Sequence, residues 1–169
     1  MDGIIIYIIV PLIISNVLHM VIVKKNLFSS LAVPVSAKLF GRNKTWRGFF
    51  IVSLLNSVLL LILNLLRPYL PNVQALFIGF FLGITYMLFE LPNSYIKRRL
   101  GITPGDKAKN HRLLLMLLDK TDSSFGVSLF SYVFLHLSLY PALQVFLVSV
   151  LVHILFSYIL VAIRIKKSF

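Results

Sequence analysis

The chain has 169 residues, of which 59% are hydrophobic, with a formal charge of +12 and a mean hydropathy of +0.92. Soluble domains average about 45–50% apolar, so this composition excludes a soluble globular protein, and the length allows one domain, 1–169. The absence of cysteine excludes disulfide frameworks and thiolate metal sites.

In chain order, apolar runs of the length that crosses a bilayer as helix, roughly 17–25 residues, fall at 3–23, 49–66, 73–91 and 141–163. A further run, 125–139, reaches that length only if its helix begins near Asp119, which gives a span at 120–139. The first run has no basic leader and no small-residue cleavage site, so it reads as a span and not as a signal peptide. The expected fold is therefore all-α and polytopic, with five transmembrane helices and long loops at 24–48 and 92–119. The connections between spans two and three and between four and five are short and carry proline.

Charge sets the expected orientation. Loop one holds Lys24, Lys25, Lys38, Arg42, Lys44 and Arg47. The second long loop holds Lys97, Arg98, Arg99, Lys107, Lys109 and Arg112 and ends at Lys120. The tail holds Arg164, Lys166 and Lys167. Only Arg67 lies on the other side. By the positive-inside rule the N-terminus lies outside, and the long loops and C-terminus are cytoplasmic. The rule also accounts for the cations without a nucleic-acid partner. Function is then confined to the membrane and the two long loops.

The chain has only five acids: Asp2, Glu90, Asp106, Asp119 and Asp122. Four of them share the second long loop and its edges with the cations, a mixture that suits a divalent metal beside phosphates. Mg²⁺ takes a few carboxylates and leaves its other positions to water and substrate phosphate. Asp119 and Asp122, at i and i+3, project from one helix face with Cβ atoms about 5–6 Å apart; the alternative is that Asp122 caps a helix. Glu90 ends span three, where an ionisable group is a functional candidate; the alternative is an interface residue paired with Lys97 or Arg98. Asp106 either joins the metal or closes the Thr-Pro-Gly-Asp turn, in which Gly105 allows close backbone approach to a ligand. Before span two, the stretch GRNKTWRG (41–48) brackets basic groups with glycines, and its amide groups can cradle phosphate with Lys44 and Arg47 as counter-charges. Asn16, Asn56, Asn64, His19, His136 and His153 lie within spans and can hydrogen-bond between helices.

GRNKTWRG, ELPNSYIKRRLGITPGD (90–106) and the Asp-x-x-Asp of Asp119 and Asp122 together resemble the CDP-archaeol synthase family, archaeal cytidylyltransferases, over the whole chain. The resemblance implies transfer of CMP from CTP to the phosphate of 2,3-bis-O-(geranylgeranyl)-sn-glycerol 1-phosphate. The products are CDP-archaeol and pyrophosphate, the cofactor Mg²⁺, and the site the cytoplasmic face of the plasma membrane. Asp119 and Asp122 would hold the metal, with Glu90 as a further ligand. Lys44, Arg47, Lys97 and Arg98 would offset the triphosphate and the lipid phosphate. Asn43, Thr45, Asn93, Ser94 and Gly105 would contact the nucleotide. The competing readings are another polytopic lipid transferase and a small transporter, which would bury its polar groups at the midplane between broken helices.

Overall fold

The computed structural model describes residues 2–104, 106 and 112–163. Five helices carry the fold: α1 (Asp2–Lys24), α2 (Trp46–Leu66), α3 (Asn72–Arg99), α4 (Arg112–Phe134) and α5 (Leu139–Ala162). No strand occurs among the described residues. The helices α1, α2, α3 and α5 are long and apolar enough to cross a membrane. The expected fifth span, α4, does not meet that measure, because Asp119, Lys120 and Asp122 lie within its first half.

Two helices, α3 and α4, differ most from expectation. Helix α3 does not stop before Pro92 but runs on to Arg99. Proline removes one intrahelical hydrogen bond, yet the turns beyond it are held from outside by contacts with α4, described below. Helix α4 runs over 112–134 in place of 120–139. Its apolar start, Leu113–Leu118, propagates the helix backwards from the acids, and its end is set by His136, whose φ of 50° leaves the helical region. More than half of the expected loop 92–119 is therefore helix. Asp122 sits inside α4 and caps nothing, and His136 lies in a connection outside any helix.

One fully buried residue from each helix meets at the centre: Ile8, Val52, Leu82, Val127 and Val145. Helices α2 and α3 make the closest approach. A Cβ at Gly79 would stand 2.7 Å from the Ser57 Cα, and one at Gly83 would stand 2.5 Å from the Ser53 Cα. Small residues let two backbones meet where apolar burial gives no preference over lipid. Two polar side chains then reach across, Asn56 Nδ2 donating to the Gly79 carbonyl at 2.6 Å and Ser57 Oγ to the Leu76 carbonyl at 2.7 Å. Gly79 and Gly83 thus mark a contact and not a helix break.

Candidate active site

The two long loops come together at one end of the bundle. Loop one leaves α1 through a turn in which Asn26 and Phe28 both have positive φ, 51° and 52°. It returns through an antiparallel bridge between Pro34 and Thr45. The bridge is closed by Val35 N–H donating to the Lys44 carbonyl at 2.9 Å and Trp46 N–H to the Val33 carbonyl at 3.0 Å. Lys44 is thereby fixed beside the bridge, just ahead of α2. The loop tip, Gly41, has a φ of 85° and lies against the other loop: a Cβ there would meet Pro104 Cγ at 2.9 Å and Arg98 Cδ at 3.5 Å. Glycine is needed on both counts.

Lys44 of loop one forms an ion pair with Glu90 of α3. Glu90 is therefore held by Lys44 and not by Lys97 or Arg98. One turn along α3 beyond Glu90, Asn93 points its amide at α4. Its Nδ2 donates to Asp119 Oδ1 at 2.6 Å and to Asp122 Oδ2 at 3.0 Å. One turn further, Lys97 Nζ lies 2.5 Å from both carboxylate oxygens of Asp119. Asp122 Oδ1 also accepts from the Ser123 amide at 2.6 Å. The extension of α3 past Pro92 is what brings Asn93 and Lys97 to the aspartates. The i, i+3 spacing does put both carboxylates on one face, since one amide nitrogen serves both.

The remaining candidates divide. Arg98 packs against Gly41, and its Nε and Nη1 are buried without a partner. Asn93 Oδ1 is likewise buried and unpaired. Arg47 is only 6% exposed. Its Nη1 donates to the Leu27 carbonyl at 3.0 Å and touches Asn26 Oδ1 at 3.5 Å. These contacts brace the loop-one turn, while Arg47 Nε is buried without a partner. Ser94 Oγ donates to the Glu90 carbonyl within its own helix at 2.9 Å. Asn43 is exposed, and Thr45 precedes α2 with an extended backbone and makes no side-chain cap. Asp106 accepts from Thr103 Oγ1 and closes its turn. Gly105, Lys107 and Lys109 lie outside the described residues.

Below this end a cavity opens between α1, α3, α4 and α5, with Asn16, Tyr86, Ser124, Ser149, His153 and Ser157 set among apolar side chains. Tyr86, which the sequence analysis does not single out, lies in the cavity wall. Its hydroxyl accepts from Asn16 Nδ2 at 2.8 Å. It lies four residues before Glu90, on the same helix face, and that spacing was the available signal.

Among the described residues, no three His, Asp or Glu side chains cluster closely enough to hold a metal ion unaided. The Asp119 and Asp122 pair nonetheless fits Mg²⁺. That ion is usually bound through one or two carboxylates, with water and phosphate completing the shell. Two carboxylates converging on one amide nitrogen are such a donor set.

A family model described as CarS-like, CDP-archaeol synthase, matches residues 3–169. The chain belongs to the CDP-archaeol synthase family. It is 35% identical to a CDP-archaeol synthase of Pyrococcus furiosus over 69 residues, 40% of this chain and 41% of that one. The enzyme of that name from Staphylothermus marinus is 29% identical over 94 residues, 56% of this chain and 48% of the relative. That of Thermofilum pendens is 33% identical over 114 residues, 68% of this chain and 48% of the relative. The matches thus span less than half the length of these CDP-archaeol synthases. No solved structure matches the chain.

Proposed function

We propose that this chain transfers CMP from CTP to the phosphate of 2,3-bis-O-(geranylgeranyl)-sn-glycerol 1-phosphate, releasing pyrophosphate, at the cytoplasmic face of the plasma membrane. The observation that carries the reading is the convergence of Asp119 and Asp122 on Asn93, at the bundle end where loop one brings Lys44 and Gly41 to α3. Family membership supports the cytidylyl chemistry. The clustering of Lys and Arg on the loops of that end supports its cytoplasmic orientation.

In the reaction an oxygen of the lipid phosphate attacks the α-phosphorus of CTP. A new P–O bond forms, and the bond to the β-phosphate oxygen breaks. The electron pair leaves with pyrophosphate. The nucleophile is a phosphomonoester whose second pKa is about 6, so it is already largely ionised and needs no general base. The work left to the protein is positioning and charge compensation. Asp119 and Asp122 would hold Mg²⁺, with Glu90 as a further ligand once freed from Lys44. When bound, the ion supplies Lewis-acid stabilisation of the charge on the transferring and leaving phosphates. Arg98 offers its two unpaired nitrogens to the triphosphate, and Lys44 and Lys97 add charge on either side. Arg47 keeps loop one in place. The cavity beneath Tyr86 receives the apolar chains of the lipid.

The test is pyrophosphate release by the purified protein in detergent with CTP, Mg²⁺ and the archaeal lipid phosphate. Release that requires all three, and that Asp119→Asn removes from a folded protein, is the expected result. Consumption of a CDP-lipid without CTP would point to another lipid transferase, and no turnover with either would favour transport.

A further inference from the structure

We propose that Lys97 is an internal stand-in for the divalent cation: its ammonium occupies Asp119 until metal and nucleotide arrive together, and then moves to a nucleotide phosphate. The inference rests on the reading of Asp119 and Asp122 as the metal-holding pair.

The geometry points to it in three ways. Lys97 Nζ lies against both oxygens of Asp119 at once, so a cation at that carboxylate would have to displace it. An ammonium is a compact point charge with mobile donors, a nearer mimic of a metal ion than a guanidinium. The Asp119 side of the pair is also open to solvent. The Asp119 side chain is 42% exposed, against 19% for Lys97. Exposed ion pairs contribute little to stability, so the carboxylate does not depend on this lysine and the contact exchanges readily. Finally, Asn93 stands one turn before Lys97 on the same helix. It holds both aspartates through Nδ2, yet its Oδ1 is buried without a partner. The amide fixes the carboxylates independently of the lysine, so the pair persists when Lys97 leaves.

The consequence is a coupling. Metal alone must displace an ammonium and binds weakly. Metal with nucleotide offers the displaced Lys97 a phosphate and binds tightly. The device would keep the aspartates from filling with free cation in the absence of CTP.

The experiment is a Mn²⁺ titration of the full chain in detergent, read by the loss of the free-ion paramagnetic resonance signal, without turnover. Without nucleotide, Lys97→Gln should bind Mn²⁺ about tenfold more tightly than the unmodified chain, the scale of a neighbouring charge on a carboxylate. Arg98→Gln removes an equal charge nearby and should shift the affinity much less. A non-hydrolysable CTP analogue should tighten Mn²⁺ binding in the unmodified chain, and Lys97→Gln should lose most of that gain. Equal or weaker binding by Lys97→Gln overturns the proposal, and so does an equal gain in Arg98→Gln, which would reduce the effect to general charge. Lys97→Met serves as a second variant. If neither variant folds, Lys97 is a structural partner and the proposal fails. Asp119→Asn tests the underlying reading separately: if it binds Mn²⁺ as the unmodified chain does, the aspartates are not the metal site.

Discussion

Each end of the bundle buries a polar cluster around one asparagine, and the two clusters are finished differently. Away from the loops, Asn64 is fully buried between α1, α2 and the start of α3. Its Oδ1 accepts from the Tyr7 hydroxyl at 2.9 Å and from the amides of Tyr69 and Leu70 at 3.1 and 3.2 Å. Its Nδ2 donates to the Leu70 carbonyl and to Asn72 Oδ1 at 2.8 and 2.9 Å. Both polar atoms are used, and the result is a sealed turn. At the loop end Asn93 is nearly as buried, but its Oδ1 has no partner, and Arg98, five residues on, leaves two nitrogens unpaired. A buried polar group without a partner costs about 1–3 kcal/mol. Such groups in a native fold call for an explanation, and a ligand is one. The same residue type therefore closes structure at one end and leaves hydrogen-bonding capacity open at the other.

The largest expected effect breaks the open end. Asp122→Asn keeps shape and volume and removes the charge. Turnover should fall by about a hundredfold or more, the scale of losing one preorganised electrostatic group. The melting temperature in detergent should stay within a few degrees. Near-normal pyrophosphate release would show that the open cluster is not the reaction centre. Next in size, Arg98→Ala should weaken CTP binding by about tenfold or more, as expected for loss of charge-assisted hydrogen bonds. A competition binding assay would read this, and unchanged affinity would show that the unpaired guanidinium nitrogens serve some other group.

How much of this was legible depends on which interactions are local. Helices α1, α2 and α5 follow from their apolar runs, and the pairing of Asp119 with Asp122 follows from helical spacing. The course of α3 does not, because the local rule at Pro92 is overruled by Asn93 and Lys97 reaching α4. The start of α4 was misplaced for a related reason: its charges read as a membrane edge although they lie inside a helix. Glu90 stood out as a costly acid, but its partner Lys44 lies on another helix approach, and no local pattern links the two. Arg47 reads as a phosphate ligand on charge alone. Its use as a brace depends on a turn with Phe28 at positive φ, a conformation for which phenylalanine gives no signal.

The sealed end makes the opposite prediction. Asn64→Ala should destabilise the protein by about 1–3 kcal/mol, since it strands Tyr7 and two turn amides. The kcat of the folded fraction should be unchanged. A thermal unfolding curve in detergent with turnover measured per folded molecule separates the two effects. A fall in kcat without loss of stability would mean that the two ends communicate.

The smallest expected effect is at Arg67, the single Lys or Arg on that side of the sequence. Its guanidinium carbon stands 5.4 Å from the centre of the Tyr69 ring, and Tyr69 is 40% exposed. A cation–π contact that open contributes about 0.5–1 kcal/mol. Arg67→Gln should therefore shift the melting temperature slightly and leave turnover intact. It also sharpens the charge asymmetry between the ends, so on the positive-inside rule the orientation should hold or strengthen. Protease accessibility of the two ends in sealed vesicles measures that directly. An orientation that became mixed would show that charge does not set the topology, and the assignment of the open cluster to the cytoplasmic face would lose its support.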